Sequence, residues 1–96
     1  MTRNEIIAKL RGERAILDQL GVASFRLFGS AARSEAGPQS DADFIVRFSG
    51  QPTFDRYMEL KFHLEQVLAT RVDLVTEDAL RPALREAVER DAVRVA

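Results

Sequence analysis

The chain has no cysteine, no apolar run long enough to cross a membrane and no excess of basic residues. Without cysteine there is no disulfide framework, no thiolate metal site and no cysteine nucleophile. No apolar stretch approaches the roughly 18 residues of a membrane span, and the first residues lack the apolar core of a secretory signal. Lys plus Arg number 14 against 15 Asp plus Glu, a formal charge of −1. That balance disfavours strong nucleic-acid binding, which needs a cationic surface to neutralise phosphates. Internal repeats, low-complexity tracts and linkers are also missing. At 96 residues the chain is too short for a processive, template-reading enzyme with thumb and finger domains. The expectation is one cytoplasmic domain over 1–96. With 46% apolar residues, it can bury a core unaided.

What is there reads as alternating helices and strands. Thr2 and Glu5 form the pattern of a capping box ahead of a helix to Leu20. Ile6, Ile7, Leu10, Leu17 and Leu20 recur at helical spacing along it, and Gly21 suits the left-handed residue that ends a helix. Ala23 to Phe28 reads as a strand, with Phe25 and Leu27 on one face and Arg26 and Phe28 on the other. After Gly29-Ser30, residues Ala31 to Arg33 can form one helical turn, and Glu35 to Ser40 reads as a loop. Asp41 to Phe48 alternates like a strand. Thr53 caps a second long helix to Leu68, with Phe54, Tyr57, Met58, Leu64, Val67 and Leu68 as its apolar side. Arg71 to Val75 reads as a third strand. Thr76 can cap a turn, Pro82 starts a last helix to about Arg90, and Val93 and Val95 suit a short terminal strand. The order predicts a small α/β (α+β) fold, a mixed sheet packed by helices.

Three features carry chemistry. Gly29-Ser30 ends a strand just before a helical turn, where backbone N–H groups can point at an anion. The same dipeptide also ends many strands for backbone reasons alone. Asp41 and Asp43 lie at i and i+2 of a strand, on one face and roughly 6.5–7 Å apart. Two carboxylates so placed can hold a cation, although Asp is also common at turns. Asp73 interrupts an apolar strand. It belongs either to the exposed face of an edge strand or, if that strand lies beside Asp41 and Asp43, to the same site. Three hard oxygen ligands suit Mg²⁺ together with a substrate polyphosphate. An anion cradle beside a carboxylate cluster is the equipment for phosphoryl or nucleotidyl transfer.

These residues resemble a known family. Gly29-Ser30, ten residues, then Asp41-Ala42-Asp43 is similar to the signature of the DNA polymerase beta-like nucleotidyltransferase superfamily. Phe25 to Ser30, Ala32-Arg33, Ser40 to Val46 and Arg71 to Thr76 look like its smallest branch, the minimal nucleotidyltransferases (MNT). The resemblance runs from about Val22 to Val95. It implies the polymerase beta-like nucleotidyltransferase fold, with Asp41, Asp43 and Asp73 as catalytic metal ligands for Mg²⁺, two ions in all. It implies ATP as substrate, held by Gly29, Ser30 and Ser40, with Arg33 near the phosphates or the partner. The implied activity is that of an antitoxin transferring AMP to a tyrosine hydroxyl of a HEPN-domain toxin; separately, a small sheet with much of its face open can associate as a homo- or hetero-oligomer. Neutralisation by binding alone, or transfer to a small hydroxyl compound, are the alternatives. The branch often has Arg where this chain has Ala31, and Gly where it has Ser34 and the Ala69-Thr70 pair. The first difference removes a phosphate contact.

Elsewhere the residues call for structural roles. His63 suits the surface or packing of the second long helix. Tyr57 and the phenylalanines suit the core. Arg47 can meet phosphate or an acid, and the charges from Arg81 to Asp91 suit a solvated helix face or a partner.

Overall fold

The computed structural model describes residues 2–32 and 42–95, with backbone alone at Ser30, Ala31 and Ala87. Thr2 caps the first helix: its Oγ1 accepts the Glu5 N–H at 3.2 Å, and its hydroxyl donates to Glu5 Oε1 at 3.3 Å. The expected single helix to Leu20 is two, α1 (Arg3–Arg11) and α2 (Arg14–Gln19). Gly12 stands at the break, where a helix interior would cost about 1 kcal/mol relative to alanine. The break frees Glu13 to meet His63 at 3.2 Å between Oε2 and Nε2. Ile6, Leu10 and Leu17 still reach the core from both pieces, and Gly21 takes the left-handed turn at φ 80°.

Strand β1 (Val22–Phe28) leads into the single-turn helix α3 (Gly29–Ala32), and β2 (Ala42–Phe48) follows. Helix α4 (Phe54–Leu68) carries the chain to β3 (Val72–Thr76). The chain then runs through a 3₁₀ turn (Glu77–Ala79), α5 (Pro82–Asp91) and β4 (Val93–Arg94). The sheet order is β3-β2-β1-β4. β1 pairs antiparallel with both β2 and β4, whereas β2 and β3 are parallel. A parallel neighbour needs a crossover, and α4 supplies it. Thr53 starts α4 as the sequence predicts, its Oγ1 accepting the Arg56 N–H at 3.1 Å. The turn cap expected of Thr76 lacks its side-chain hydrogen bond.

The alternation in β1 and β2 holds: Phe25, Leu27, Ala42, Phe44, Val46 and Phe48 are buried against the helices on one face. Phe25 and Phe44 stack at 4.6 Å between centroids. The buried side of α4 matches the expected one at Leu64 and Leu68, with Tyr57 and Val67 packed against the core, and differs at Leu60 and Phe54. It is Leu60, Leu64 and Leu68, while Phe54 and Phe62 are 75% and 58% exposed. Phe62 lies about 200° round the helix from Leu64 and so faces away from the core, whereas Phe54 is the first residue of α4 and sits at its exposed end. The second face of the sheet carries a smaller cluster of Ile45, Leu80 and Val88, with Phe28 and Ala92 packed on it. Arg26 holds this layer by donating to Glu77 at 3.0 Å and Glu89 at 3.3 Å, and Arg47 pairs with Glu77 at 3.5 Å. Arg47 therefore meets an acid.

Edge strand β3 is closed by α4 side chains. Glu65 Oε2 accepts the Val72 N–H at 3.1 Å, and the Tyr57 hydroxyl donates to the Leu74 carbonyl. Open edges invite pairing with other chains, and capped groups do not. After α4, Ala69 adopts φ 53°, a position that favours glycine.

Two substitutions test this frame by chemical denaturation. Leu64→Ala is expected to cost about 3 kcal/mol through the cavity it leaves. Ala69→Gly is expected to stabilise by about 1 kcal/mol, because a left-handed residue with a Cβ is strained.

Candidate functional site

The site grows from two strand pairings. The antiparallel register of β1 on β2 sets Phe28 opposite Asp43. The parallel register of β2 on β3 sets Asp43 beside Asp73. Partners in register point to the same face, about 4.8 Å apart across the strands. Gly29 follows Phe28 immediately, so Gly29, Asp43 and Asp73 form a row across one end of the sheet. Asp73 is both things the sequence allowed. It is exposed on an edge strand, and it stands next to Asp43.

Gly29 is constrained twice. Its φ is +74°, where a side chain is strained, and a Cβ would stand 2.6 Å from Asp43 Oδ2. The corner closes tightly onto the carboxylate only because this residue has no side chain. Helix α3 begins here, two residues before the helical turn expected over Ala31 to Arg33.

Two carboxylates side by side on neighbouring strands repel. A hard divalent cation removes that cost, and paired carboxylate oxygens are the donor set that Mg²⁺ takes. Asp41, Ser40 and Arg33, also expected at the site, lie outside the described residues, as does the predicted loop from Glu35 to Ser40. The Ser30 side chain is likewise outside them. Among the described residues no three His, Cys, Asp or Glu side chains converge on one point, and Asp43 and Asp73 are the described pair of the expected trio.

One neighbour of the row escaped the sequence reading, and another was read only as core. A cleft of about 320 Å³ between the sheet and α5 opens beside Gly29, lined mainly by Phe28, Val75, Leu80, Leu84 and Val88. It forms because residues far apart in sequence leave a gap between layers, which no local pattern signals. Tyr57, expected in the core, is half-buried on the α4 side. Burial, and secondarily the charge of Asp73, pushes its hydroxyl above the ordinary 10.0. His63 pairs with Glu13, a packing role as expected.

Residues 7–95 match the nucleotidyltransferase domain family. A Thermococcus cleftensis chain named protein adenylyltransferase MntA is 35% identical over 96 residues, spanning 99% of this chain and 97% of that one. A solved structure described as a candidate minimal nucleotidyltransferase superposes at TM-score 0.84 with 38% identity, covering 97% of this chain and 95% of that one. A complex of tri-AMPylated Shewanella oneidensis HEPN toxin with MNT antitoxin shares the fold at TM-score 0.61 and 23% identity, covering 98% of this chain and 68% of that one. The small mixed sheet packed by helices is thus a minimal nucleotidyltransferase architecture.

Gly29→Ala is expected to lose about 1–2 kcal/mol and to shift Asp43, read together by thermal melting and by metal titration. Tyr57 gives a pH dependence. The fold favours its neutral form, so the stability it contributes is whole below pH 10 and is lost as pH climbs through the raised value. Wild type should therefore lose melting temperature more steeply than Tyr57→Phe above pH 10. Parallel slopes would contradict this.

Proposed function

Because the chain belongs to the nucleotidyltransferase domain family, in its minimal branch, we propose that it is an Mg²⁺-dependent protein adenylyltransferase. It moves AMP from ATP to a tyrosine hydroxyl of a HEPN-domain toxin in the cytoplasm and so acts as the antitoxin. The observation that carries this reading is the alignment of Asp43 with Asp73 across the parallel pair, next to the Gly29 corner. The name of the Thermococcus cleftensis relative supports protein adenylylation. The HEPN partner rests on the toxin–antitoxin complex of the same fold.

In this mechanism the Gly29-Ser30 backbone and Ser40 hold the polyphosphate, with Arg33 nearby. The cleft beside Gly29 is of a size to take the nucleoside of ATP against Phe28 and Leu80. Asp43 and Asp73, with Asp41, would hold Mg²⁺, two ions in all, which lowers the pKa of a hydroxyl and stabilises charge on a leaving pyrophosphate. The tyrosine oxygen forms a bond to the α-phosphorus while the bond from that phosphorus to pyrophosphate breaks. Asp73, exposed on the outermost strand, takes up the hydroxyl proton. Ala31 supplies no cation to the phosphates, so the carboxylate pair and the backbone corner bear most of the work of orientation.

Incubation with Mg²⁺, ATP and a HEPN-domain toxin from the same genome should add the mass of one or more AMP units to the toxin. Asp43→Asn and Asp73→Asn should each lower the transfer rate on the order of a hundredfold or more, since each removes a charge that the transition state requires. The melting temperature of Asp73→Asn should hold or rise, because the substitution relieves repulsion between neighbouring strands. An unmodified toxin that is nonetheless neutralised, by wild type and both variants alike, would replace catalysis with binding.

A further inference from the structure

Beyond Asp73 the sheet ends, and the surface changes character. A groove of about 420 Å³ runs between β3 and α4, lined by Lys61, Glu65, Arg71, Val72 and Asp73. Its carboxylates are engaged. Glu65 turns to the Val72 N–H, although it stands one helical turn from Lys61, where an ion pair would be ordinary. Asp73 belongs to the carboxylate row. Lys61 is half-buried and Arg71 exposed. Among the described residues neither side chain makes an ion pair. Two cations thus flank the open side of the row without internal partners.

The position of this groove follows from the strand order. Displacement at phosphorus runs in line, with the entering oxygen and the leaving pyrophosphate on opposite sides. Gly29 lies at the β1 end of the row, Asp43 in the middle and Asp73 at the β3 edge. With the polyphosphate at the Gly29 corner, the acceptor enters over β3. Strand addition is not its mode of docking, because Tyr57 and Glu65 already occupy backbone groups of that edge. Side-chain recognition remains, and among the described residues the groove charges without an ion-pair partner are those of Lys61 and Arg71.

We propose that Lys61 and Arg71 form the acceptor-recognition site of the enzyme and select an acidic polypeptide segment, whose carboxylates they bind while its hydroxyl is carried to Asp73. This rests on the transferase reading above for the direction of approach. The entering oxygen bonds to the α-phosphorus, pyrophosphate departs, and the hydroxyl proton passes to Asp73, so the cations take no part in bond exchange. Their effect falls on acceptor affinity, hence on KM for the acceptor rather than on kcat.

The test uses fluorescein-labelled peptides with one tyrosine flanked by glutamates, glutamines or lysines. Binding is followed by anisotropy at low salt, and uptake of a non-hydrolysable Mg²⁺-ATP analogue is measured by calorimetry on the same samples. Wild type should bind the glutamate peptide roughly tenfold tighter than the lysine peptide, the worth of two exposed ion pairs, and the margin should shrink with salt. The double variant K61E/R71E should reverse the order, and K61Q/R71Q should flatten it, with circular dichroism and ATP-analogue uptake unchanged in both. Equal affinity for all three peptides, a glutamate preference that survives K61E/R71E, or an RNA oligomer bound as tightly through the same two residues would overturn the assignment. Lost nucleotide uptake with the peptide preference intact would sink the transferase reading and leave the groove. Intact AMP transfer with no charge preference would sink the groove alone.

Discussion

The hydrogen-bond register between β2 and β3 decides where the acids stand. Ala42 pairs with Val72, Asp43 with Asp73 and Phe44 with Leu74 along one parallel ladder. Side chains alternate with a period of two, so a slip of one residue would set Asp43 beside a core position. Ala42, Phe44, Val72 and Leu74 are all nearly inaccessible. Burying them on one face thereby obliges Asp43 and Asp73 to share the other. Like charges are brought together by the apolar residues between them, and the repulsion is a cost that the core covers.

The two layers around the sheet do different things. On one face α1, α2 and α4 bury the large cluster and make the sheet rigid. On the other, α5 and the 3₁₀ turn cover only part, held by the smaller cluster and by the Arg26, Glu77 and Glu89 bridges. That partial cover leaves the cleft beside Gly29 at one end of the carboxylate row. Capping by Glu65 and Tyr57 leaves a groove, rather than a bare strand edge, at the other. The row is thus accessible from opposite sides.

Much of this was legible in the residue order. Strict alternation in β2 identified the strand and its core face, and Thr53 and Pro82 marked helix starts through capping and fixed φ. The helix break at Gly12 was not legible, because Leu17 and Leu20 continue the apolar spacing of Leu10 across it. The break lets Glu13 pair with His63, fifty positions on. Phe54 and Phe62 read as core by composition, yet Leu60, Leu64 and Leu68 win the inward face. A helix can bury only one stripe, and packing chooses which. The left-handed Ala69 was marked only by the resemblance, which often has Gly at the Ala69-Thr70 pair, because alanine itself gives no local sign of that conformation.

For the site, residue order alone determined the chemical types: a glycine-serine corner, paired aspartates two apart and a lone aspartate in an apolar strand. Those follow from local rules, because strand period and turn preference act over a few residues. Tertiary structure decided that Asp73 neighbours Asp43 and that Gly29 nearly touches the same carboxylate. It also decided that a cleft and a groove bearing Lys61 and Arg71 flank the row. Each depends on contacts between segments far apart along the chain, and such contacts are chosen by the packing of the whole core rather than by any stretch of sequence.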